Sequence, residues 1–230
     1  MSDNRKPPSG SKKRRRKVTA KKIAALLKER IYEEVRDVVM DKELVDEGYV
    51  PKRAMRVVEG DRSAVMQFCR DNREMRGEKA KCLSYLDNHY RVLLAEVEGK
   101  IVGHIWWHDH RLERADLHPQ LLRYGLELKP GEVWSFDLFL LQQYRGGGGS
   151  NDFFALFREY LRQAGYARVW GSVDSAYLPA VWLHKVQGYR AVKTVEARLL
   201  CSVLLWSEGH LYLRNPPIGV KQKFDFRAIW

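Results

Sequence analysis

The sequence predicts one α/β (α+β) domain, in which strands and helices alternate along the chain. A chain of 230 residues with 45% hydrophobic content can bury a full core. Two apolar segments around Glu98-Gly99-Lys100 predict a hairpin with a tight turn. A third strand-like segment, residues 133–141, runs into four consecutive glycines and then into an amphipathic helix. No internal repeat is evident, so a single folded domain is expected.

Before the hairpin, the pattern predicts helices on either side of a short strand. Residues 21–47 show a helical period and predict an added N-terminal helix that packs on the domain or on a second subunit. Its apolar positions are Ile23, Leu26, Leu27, Ile31, Val35 and Val39. Residues 55–58 predict the first strand, Asp61 is the expected N-cap of a helix, and residues 79–90 predict another helix.

After the hairpin, residues 111–131 predict a long loop around a short helix at 120–124. The strand at 133–141 and the glycine run follow. The remaining elements are expected in this order: a helix from Asn151 to Gly165, a strand at 167–173, a helix at 179–186, and strands at 191–206 and 211–213.

The run from Gln143 to Asn151, QYRGGGGSN, predicts an anion cradle. Glycines lack Cβ atoms, so several backbone N–H groups can converge on one anion, and the following helix adds its positive dipole end. The run lacks the Gly-Lys-Ser/Thr ending of a P-loop. A dinucleotide fingerprint would need a repeated βαβ unit and a later acid, for which Asp174 is the nearby candidate. A flexible linker is the third alternative, although ordered patterns flank the run on both sides.

Two motifs in this order resemble those of the GNAT superfamily of acyl-CoA-dependent N-acyltransferases. The family's pyrophosphate motif is Arg/Gln-x-x-Gly-x-Gly/Ala. It is matched by Arg145, Gly148 and Ser150, or in a shifted register by Gln143, Gly146 and Gly148. In the first register Ser150 departs from the family's final Gly/Ala.

The family's second motif is similar to Ala-x-x-Leu-Tyr-x-x-x-Gly-Phe. It is matched by Ala180, Leu183, His184, Gly188 and Tyr189, with His184 in place of the tyrosine. The resemblance covers about residues 55–192.

The resemblance implies a GNAT-like mixed, mostly antiparallel sheet of six or seven strands with flanking helices. It also implies a cleft where the family's fourth and fifth strands (β4/β5) splay apart. The co-substrate would be acetyl-CoA or another acyl-CoA, acetyl being the default, and no metal is implied. The backbone of Leu138 and Leu140 would hold the thioester carbonyl and the pantetheine arm. The other implied cofactor-binding residues are Arg145, Gly146, Gly147, Gly148, Gly149 and Ser150.

Acyl transfer requires the amine to lose a proton and the CoA thiolate to be protonated or stabilised. Glu132 lies thirteen residues before the arginine of the pyrophosphate motif, where several histone- and ribosomal-protein-modifying members of the family place their general base. Asp137 is its rival, because a carboxylate in an apolar strand is costly to bury without a partner. His184 stands at the position of the family's acid tyrosine and could protonate the thiolate. Tyr177 and Tyr189 are the alternative acids.

His108 and His110, which face one side of a predicted strand, are the candidate metal ligands. No third ligand follows at a recognisable spacing, so a polar strand end is the preferred interpretation.

The net charge of +12 is concentrated at the N-terminus. Residues 1–22 hold ten Lys/Arg and one acid, which leaves 31 basic and 28 acidic residues in the rest of the chain. Residues 1–20 therefore predict a disordered basic tail that could contact nucleic acid or an anionic surface, or act only as a solubilising extension. The other expected divisions are the extra helix at 21–47, the GNAT-like domain at 52–215 and a C-terminal extension at 216–230.

Three separated cysteines, Cys69, Cys82 and Cys201, predict buried or free thiols in a reducing compartment. With no apolar run of membrane-spanning length and no signal-peptide pattern, a cytoplasmic location is expected. The expected partners are acyl-CoA and an amine acceptor, either a small molecule or a protein, with a homodimer as a further possibility. Two rival classes remain: a non-catalytic acyl-CoA-binding or scaffold protein on the same fold, and a basic-tail nucleic-acid-binding protein.

Overall fold

A nine-stranded sheet, in the order β2-β3-β4-β5-β6-β1-β7-β8-β9, organises the chain. The computed structural model describes residues 32–113, 116–200, 204–207 and 210–213. The strands are β1 Tyr32–Glu43, β2 Met55–Glu59, β3 Arg91–Val97, β4 Lys100–Asp109, β5 Glu132–Leu140, β6 Arg168–Asp174, β7 Arg190–Leu200, β8 Leu204–Ser207 and β9 His210–Leu213. The helices are α1 Arg62–Asp71, α2 Lys79–Asp87, α3 Pro119–Tyr124, α4 Gln142–Arg145, α5 Gly149–Gln163 and α6 Leu178–Val186, with a 3₁₀ turn at Arg73–Met75.

The mixed, mostly antiparallel sheet expected from the family resemblance is confirmed. Every neighbouring pair of strands is antiparallel except β5 and β6. The described residues form nine strands rather than six or seven. The larger number has a simple origin, because β1 is inserted between β6 and β7, and β8 and β9 extend the sheet beyond β7.

The helix predicted over residues 21–47 is wrong for Tyr32–Glu43, which forms the inserted strand β1. Ile31, Val35 and Val39 are spaced four residues apart, and this spacing repeats on one side of a strand as well as on one face of a helix. Val39 and its neighbour Met40, which point to opposite faces of the sheet, are 0% and 2% exposed. A strand buried on both faces loses the alternation that would have identified it from sequence. The folded domain therefore includes β1, although the predicted boundary was at residue 52.

Local predictions around the first helices and the hairpin are confirmed. Asp61 caps α1, since its Oδ1 accepts the N–H of Ala64 at 2.7 Å. Glu98 and Gly99 have φ of +52° and +76°, the positive values that a tight hairpin turn between β3 and β4 needs. The short helix expected at 120–124 is α3.

The helices cover both faces of the sheet, as two adjacent tryptophans of β4 show. Trp106 packs edge-on against Tyr85 of α2, whereas Trp107 packs against Tyr160 of α5. Both tryptophans are at most 1% exposed. Helices α1 and α2 therefore lie on one face, and α5 and α6 lie on the other. We call these the α2 face and the α5 face.

Cys69 and Cys82 are buried free thiols, as the sequence predicts. Cys201, the tail at 1–20, residues 21–31 of the expected extra helix and the extension at 216–230 lie outside the described residues. Within the part of the chain that the structure describes, no helix is long and apolar enough to cross a membrane.

Candidate functional site

A wedge opens in the sheet between β5 and β6. These parallel strands pair only over Glu132–Trp134 and Arg168–Trp170. Just beyond, the hydroxyl of Ser135 donates to the carbonyl of Trp170 at 3.0 Å. Towards their carboxyl ends, β5 remains paired with β4 and β6 remains paired with β1, but β5 and β6 no longer pair with each other. The splayed cleft expected from the resemblance is present at this position.

A β-bulge shapes the β5 side of the wedge. Asp137 has φ of +49°, and the β4–β5 register shifts between His104 and Trp106. A bulge re-aims the backbone groups of a strand and is over-represented beside active sites. Leu138, whose backbone the resemblance assigns to the thioester, directly follows this bulge.

The carboxylate of Asp137 lies on the α2 face and has a cationic partner. Its Oδ2 is 2.9 Å from Nζ of Lys81 and 3.9 Å from Nε2 of His104. Burial lowers the pKa of His104 to about 4 despite the nearby Asp137, so this histidine is neutral at pH 7. The side chain of Asp137 keeps 24% exposure, which gives it access to solvent at the bulge.

Glu132 lies at the closed end of the wedge, where β5 and β6 are still paired. Its Oε2 accepts the backbone N–H of Lys129 at 3.0 Å, and its Oε1 is 3.9 Å from Nε of Arg168. Two residues further along the same side of the strand, Trp134 is fully buried. The carboxylate of Glu132 is thus held by its own turn, at the end of the wedge where the two strands are still paired.

His184 reaches the wedge from α6 on the α5 face. Its Nδ1 lies 2.8 Å from the carbonyl of Ala180. A carbonyl only accepts, so Nδ1 carries the hydrogen of the neutral ring and Nε2 carries the lone pair. Nε2 is 4.0 Å from the point where a Cβ on Gly171 of β6 would lie, and the hydroxyl of Ser135 is 3.4 Å from the same point. Burial lowers the pKa of His184, with a smaller contribution from Arg158, although the hydrogen bond to Ala180 opposes it.

The other two residues considered as acids differ in position. Tyr177 precedes α6 and is 59% exposed. Tyr189 is buried against Phe154 and His184, and burial raises the pKa of its hydroxyl well above the usual value.

The glycine run forms the turn between α4 and α5. Gly147 and Gly148 have φ of +62° and +92°, and Gly148 is the N-cap of α5. The first intrahelical bond runs from the N–H of Asp152 to the carbonyl of Gly148 at 2.9 Å. The strand–turn–helix arrangement that the sequence predicts is therefore present, with the N-terminus of α5 at the carboxyl end of β5.

Arg145 folds back over the end of β5. Its Nε donates to the carbonyl of Leu140 at 2.6 Å, and its Nη2 is 3.5 Å from Oε2 of Glu74. The guanidinium carbon lies 5.4 Å from the ring centroid of Phe139. The carbonyl of Leu140, whose backbone the resemblance assigns to cofactor binding, thus already accepts a hydrogen bond from within the protein. The hydroxyl of Ser150 lies 3.4 Å from the carbonyl of Arg145 and closes the turn.

The sequence pattern missed a segment that covers this turn, residues 47–53 between β1 and β2. The fully buried Asp152 holds it, because its carboxylate accepts from the hydroxyl of Tyr49 at 2.6 Å and from the N–H groups of Lys52 and Arg53 at 3.0 and 3.2 Å. Nη2 of Arg53 then donates to the carbonyl of Gly146 at 2.7 Å. Lys52 and Arg53 form a basic pair outside the tail, which is the sequence signal for this segment. Nothing in the sequence, however, connects this pair to glycines almost one hundred residues further along the chain.

A second missed cluster lies where β1 borders β6 on the α2 face. The hydroxyl of Tyr124 donates to Oδ2 of Asp37 at 2.6 Å and lies 3.2 Å from the hydroxyl of Ser172. Asp37 comes from the strand that was predicted as helix, so sequence reasoning had no reason to place it here.

The histidines considered for a metal are apart from this site. The ring of His108 is buried and stacks on Tyr90, and its Nδ1 is 3.2 Å from the carbonyl of Asp109, whereas His110 is exposed. Among the described residues, no group of three or more His, Cys, Asp or Glu side chains could hold a metal ion.

Comparison with solved structures shows that the fold is GNAT-like, which confirms the resemblance at the level of the fold alone. A GCN5-related glucosamine N-acetyltransferase region of a fungal multi-domain GH3 β-N-acetylglucosaminidase superposes with a TM-score of 0.52 and 13% identity. The match covers 76% of this chain and 22% of that one. A functionally unknown conserved protein from Staphylococcus epidermidis ATCC 12228 gives a TM-score of 0.51 and 12% identity, over 80% of this chain and 68% of that one. No protein-family model and no curated protein sequence matches this chain.

Proposed function

We propose that this protein is an N-acyltransferase that moves an acyl group, by default acetyl, from acyl-CoA to an amine. The observation that carries the proposal is the wedge between β5 and β6, which opens beside the glycine turn. A pantetheine arm could lie in the wedge while its pyrophosphate meets the N-terminus of α5. The implied co-substrate is acetyl-CoA or another acyl-CoA, and the acceptor would approach from the α2 face.

The residues around the turn fit an anionic group of this size. The N-terminus of α5 presents free N–H groups and a positive dipole end. Lys52 and Arg53 add positive charge directly beside Gly148 and Gly147. Negatively charged phosphates are stabilised by this combination of backbone N–H groups and cationic side chains.

Substituting Gly148 tests the cofactor site. Gly148→Asp adds a carboxylate where the pyrophosphate would lie, and we expect calorimetry to show at least a tenfold loss of acetyl-CoA affinity. Gly165→Asp is a matched control, because Gly165 also has positive φ, +87° against +92°, and lies beyond the other end of α5. Both variants carry a similar backbone strain of about 1–2 kcal/mol. Equal acetyl-CoA affinity in the two variants would exclude the turn as the cofactor site.

For the proton of the amine, we propose Glu132 as the base, with Asp137 as the alternative. The sequence spacing supports Glu132, whereas the bulge and the solvent access support Asp137. Glu132→Gln and Asp137→Asn change each carboxylate without changing its size. The substitution of the true base should lower turnover by about 10²–10⁴-fold and leave acetyl-CoA affinity unchanged. Turnover is measured as CoA release with an amine acceptor found by screening, and full activity in both variants would contradict the assignment of either residue.

The held position of Glu132 favours one alternative, a non-catalytic acyl-CoA-binding protein on the same fold. That function predicts acetyl-CoA binding that Gly148→Asp abolishes, with no CoA release in the presence of any amine pool. CoA release that depends on both an amine and an intact glycine turn would exclude it.

A further inference from the structure

A cavity of about 310 Å3 adjoins the glycine turn. It lies between the N-terminus of α5, the C-terminal end of α6 and the segment that follows β1. Its polar lining includes Lys42, Lys52, Arg158, Glu47 and Asn151. The volume is at the lower end of the range for small-molecule sites, about 300–1,000 Å3.

The lining carries an excess of positive charge. Glu47 is shared between two cations, since its Oε1 is 2.6 Å from Nζ of Lys42 and its Oε2 is 2.8 Å from Nη2 of Arg158. Burial favours the protonated carboxyl, but hydrogen bonds from both cations outweigh it and lower the pKa of Glu47. The ammonium of Lys52 makes no ion pair among the described residues. One carboxylate therefore faces three cations.

The backbone around the cavity leaves room for these cations. A Cβ on Gly188 would lie 2.8 Å from Nζ of Lys42, so a side chain there would shift the ammonium away from the end of α6. Arg158 is 5% exposed and donates to Gln187 of the same end. The contacts of Asp152 with the segment at 47–53 hold Lys52 over the opening. The positions of the three cations are therefore determined by contacts with β1 and its following loop, with α5 and with the end of α6.

We propose that this cavity binds the 3′-phosphate of acyl-CoA and selects it against the 3′-dephospho form. The inference rests on the proposed function, because the glycine turn must first hold the pyrophosphate of the same molecule. The nucleotide end of CoA lies next to that pyrophosphate and carries a phosphate monoester. Lys52, Lys42 and Arg158 supply three cationic donors for it.

The residues that would select the 3′-phosphate lie mainly in β1 and in the loop that follows it. Lys42 and Lys52 belong to β1 and to the loop after it, which precede the region that resembles the family. Arg158 lies on α5, where it bonds Glu47 of the same loop. A phosphate dianion would supply the counter-charge that one carboxylate cannot provide to three cations.

The test compares acetyl-CoA with acetyl-3′-dephospho-CoA by calorimetry on the full chain. We expect wild-type protein to bind acetyl-CoA about tenfold or more tightly, the effect of a hydrogen bond between charged groups. Lys52→Ala should lose about tenfold for acetyl-CoA and little for the dephospho form, and Lys52→Arg should restore the preference. Lys52 is exposed, so its truncation does not threaten the fold. Lys185→Ala, on α6 but outside the cavity lining, controls for general electrostatics and should retain the preference.

Two results would overturn the assignment while the proposed function stands. One is equal affinity of wild-type protein for the two ligands. The other is a Lys52→Ala variant that weakens both ligands by the same factor, which would place Lys52 on the pyrophosphate. Failure of wild-type protein to bind either ligand would instead overturn the proposed function and this inference together.

Discussion

Gly147 and Gly149 lack side chains for two different steric reasons. A Cβ on Gly149 would lie 2.0 Å from the carbonyl oxygen of Tyr144, so the backbone could not turn into α5 there. A Cβ on Gly147 would lie 2.7 Å from Nη2 of Arg53, so a side chain would displace the guanidinium from the turn. A Cβ on Gly146, by contrast, would meet nothing within 4 Å. Within one run, glycine therefore serves chain reversal at one position and the approach of a cation at another.

The resemblance implies that His184 is the acid, and in that role the position of its ring hydrogen would set the order of proton transfer. Because Nδ1 donates to Ala180, the neutral ring presents a lone pair at Nε2, and it must accept a proton before it can protonate a thiolate. The proton that the carboxylate base removes from the amine would have to reach Nε2 before the ring could pass it to the thiolate. This order also requires the neutral ring at the start of each turnover.

Activity should accordingly depend on the neutral form of His184. Burial lowers its pKa below the ordinary value for histidine, so kcat/KM should fall as the pH drops through that lowered pKa. His184→Phe keeps an aromatic ring against Phe154 and Tyr189, and it should lower kcat by about 10²–10⁴-fold and remove this acid limb. The measurement is a pH profile of CoA release, with acetyl-CoA affinity as the check on folding.

Tyr177→Phe and Tyr189→Phe are the matched controls for that experiment. Each removes only a hydroxyl, and both should leave turnover near that of the wild type. A normal rate and pH profile in His184→Phe, with a loss in either tyrosine variant, would transfer the acid role to that tyrosine.

At the scale of elements, the insertion of β1 determines what surrounds the site. Its pairing with β6 over Asp37–Glu43 leaves the other side of β6 to form the wedge. Asp37, in the first half of β1, contacts Tyr124, which also lies close to Ser172. The loop after β1 leads to the N-terminus of α5, where Lys52 and Arg53 cover the glycine turn. One added strand thus supplies polar groups at both ends of the candidate site.

Truncation of a buried side chain in β1 tests whether this strand is integral to the core. Met40 is 2% exposed, so Met40→Ala should lower the free energy of unfolding by about 2–5 kcal/mol. Val45→Ala, a few residues further on and 60% exposed, should change it by less than about 0.5 kcal/mol. Denaturant titration of both variants provides the comparison. A small effect at Met40 would show that β1 is dispensable for the core.

At the scale of the whole molecule, charge is divided between the N-terminal residues and the rest of the chain. Ten of the first 22 residues are basic, and the remainder is close to balanced. A nucleic-acid-binding domain would carry its basic residues across one folded face. The cations Lys42, Lys52, Arg53 and Arg158 form a small group around one turn and one cavity, which suits a phosphorylated small molecule better than a polymer.

Deletion of residues 1–20 should therefore separate acetyl-CoA binding by the folded domain from any association of the basic tail with nucleic acid or anionic lipid. We expect the Tm and the acetyl-CoA affinity to stay within error of the full chain, because these residues are predicted to add nothing to the core. Any association with nucleic acid or anionic lipid should weaken on deletion, and in the full chain it should weaken as salt rises. A fall of several degrees in Tm would show that the deleted residues are structural.

The sequence alone determined the features that depend on neighbours along the chain. The turn at Glu98-Gly99, the cap at Asp61 and the strand–glycine–helix unit are set by local backbone geometry, so they could be predicted. Motif spacing likewise identified the fold that the wedge between β5 and β6 confirms. The wedge opens because β5 and β6 pair over only three residues each and then separate.

Only the tertiary structure decided which distant residues complete the site. Val35 and Val39 fit a helix and a strand equally well, and the pairing of β1 with β6 and β7 settles it as a strand. Asp152 satisfies its buried carboxylate with residues 49–53, about one hundred positions away in the chain. Buried charges must find partners wherever the fold provides them, and sequence spacing carries no record of such pairings.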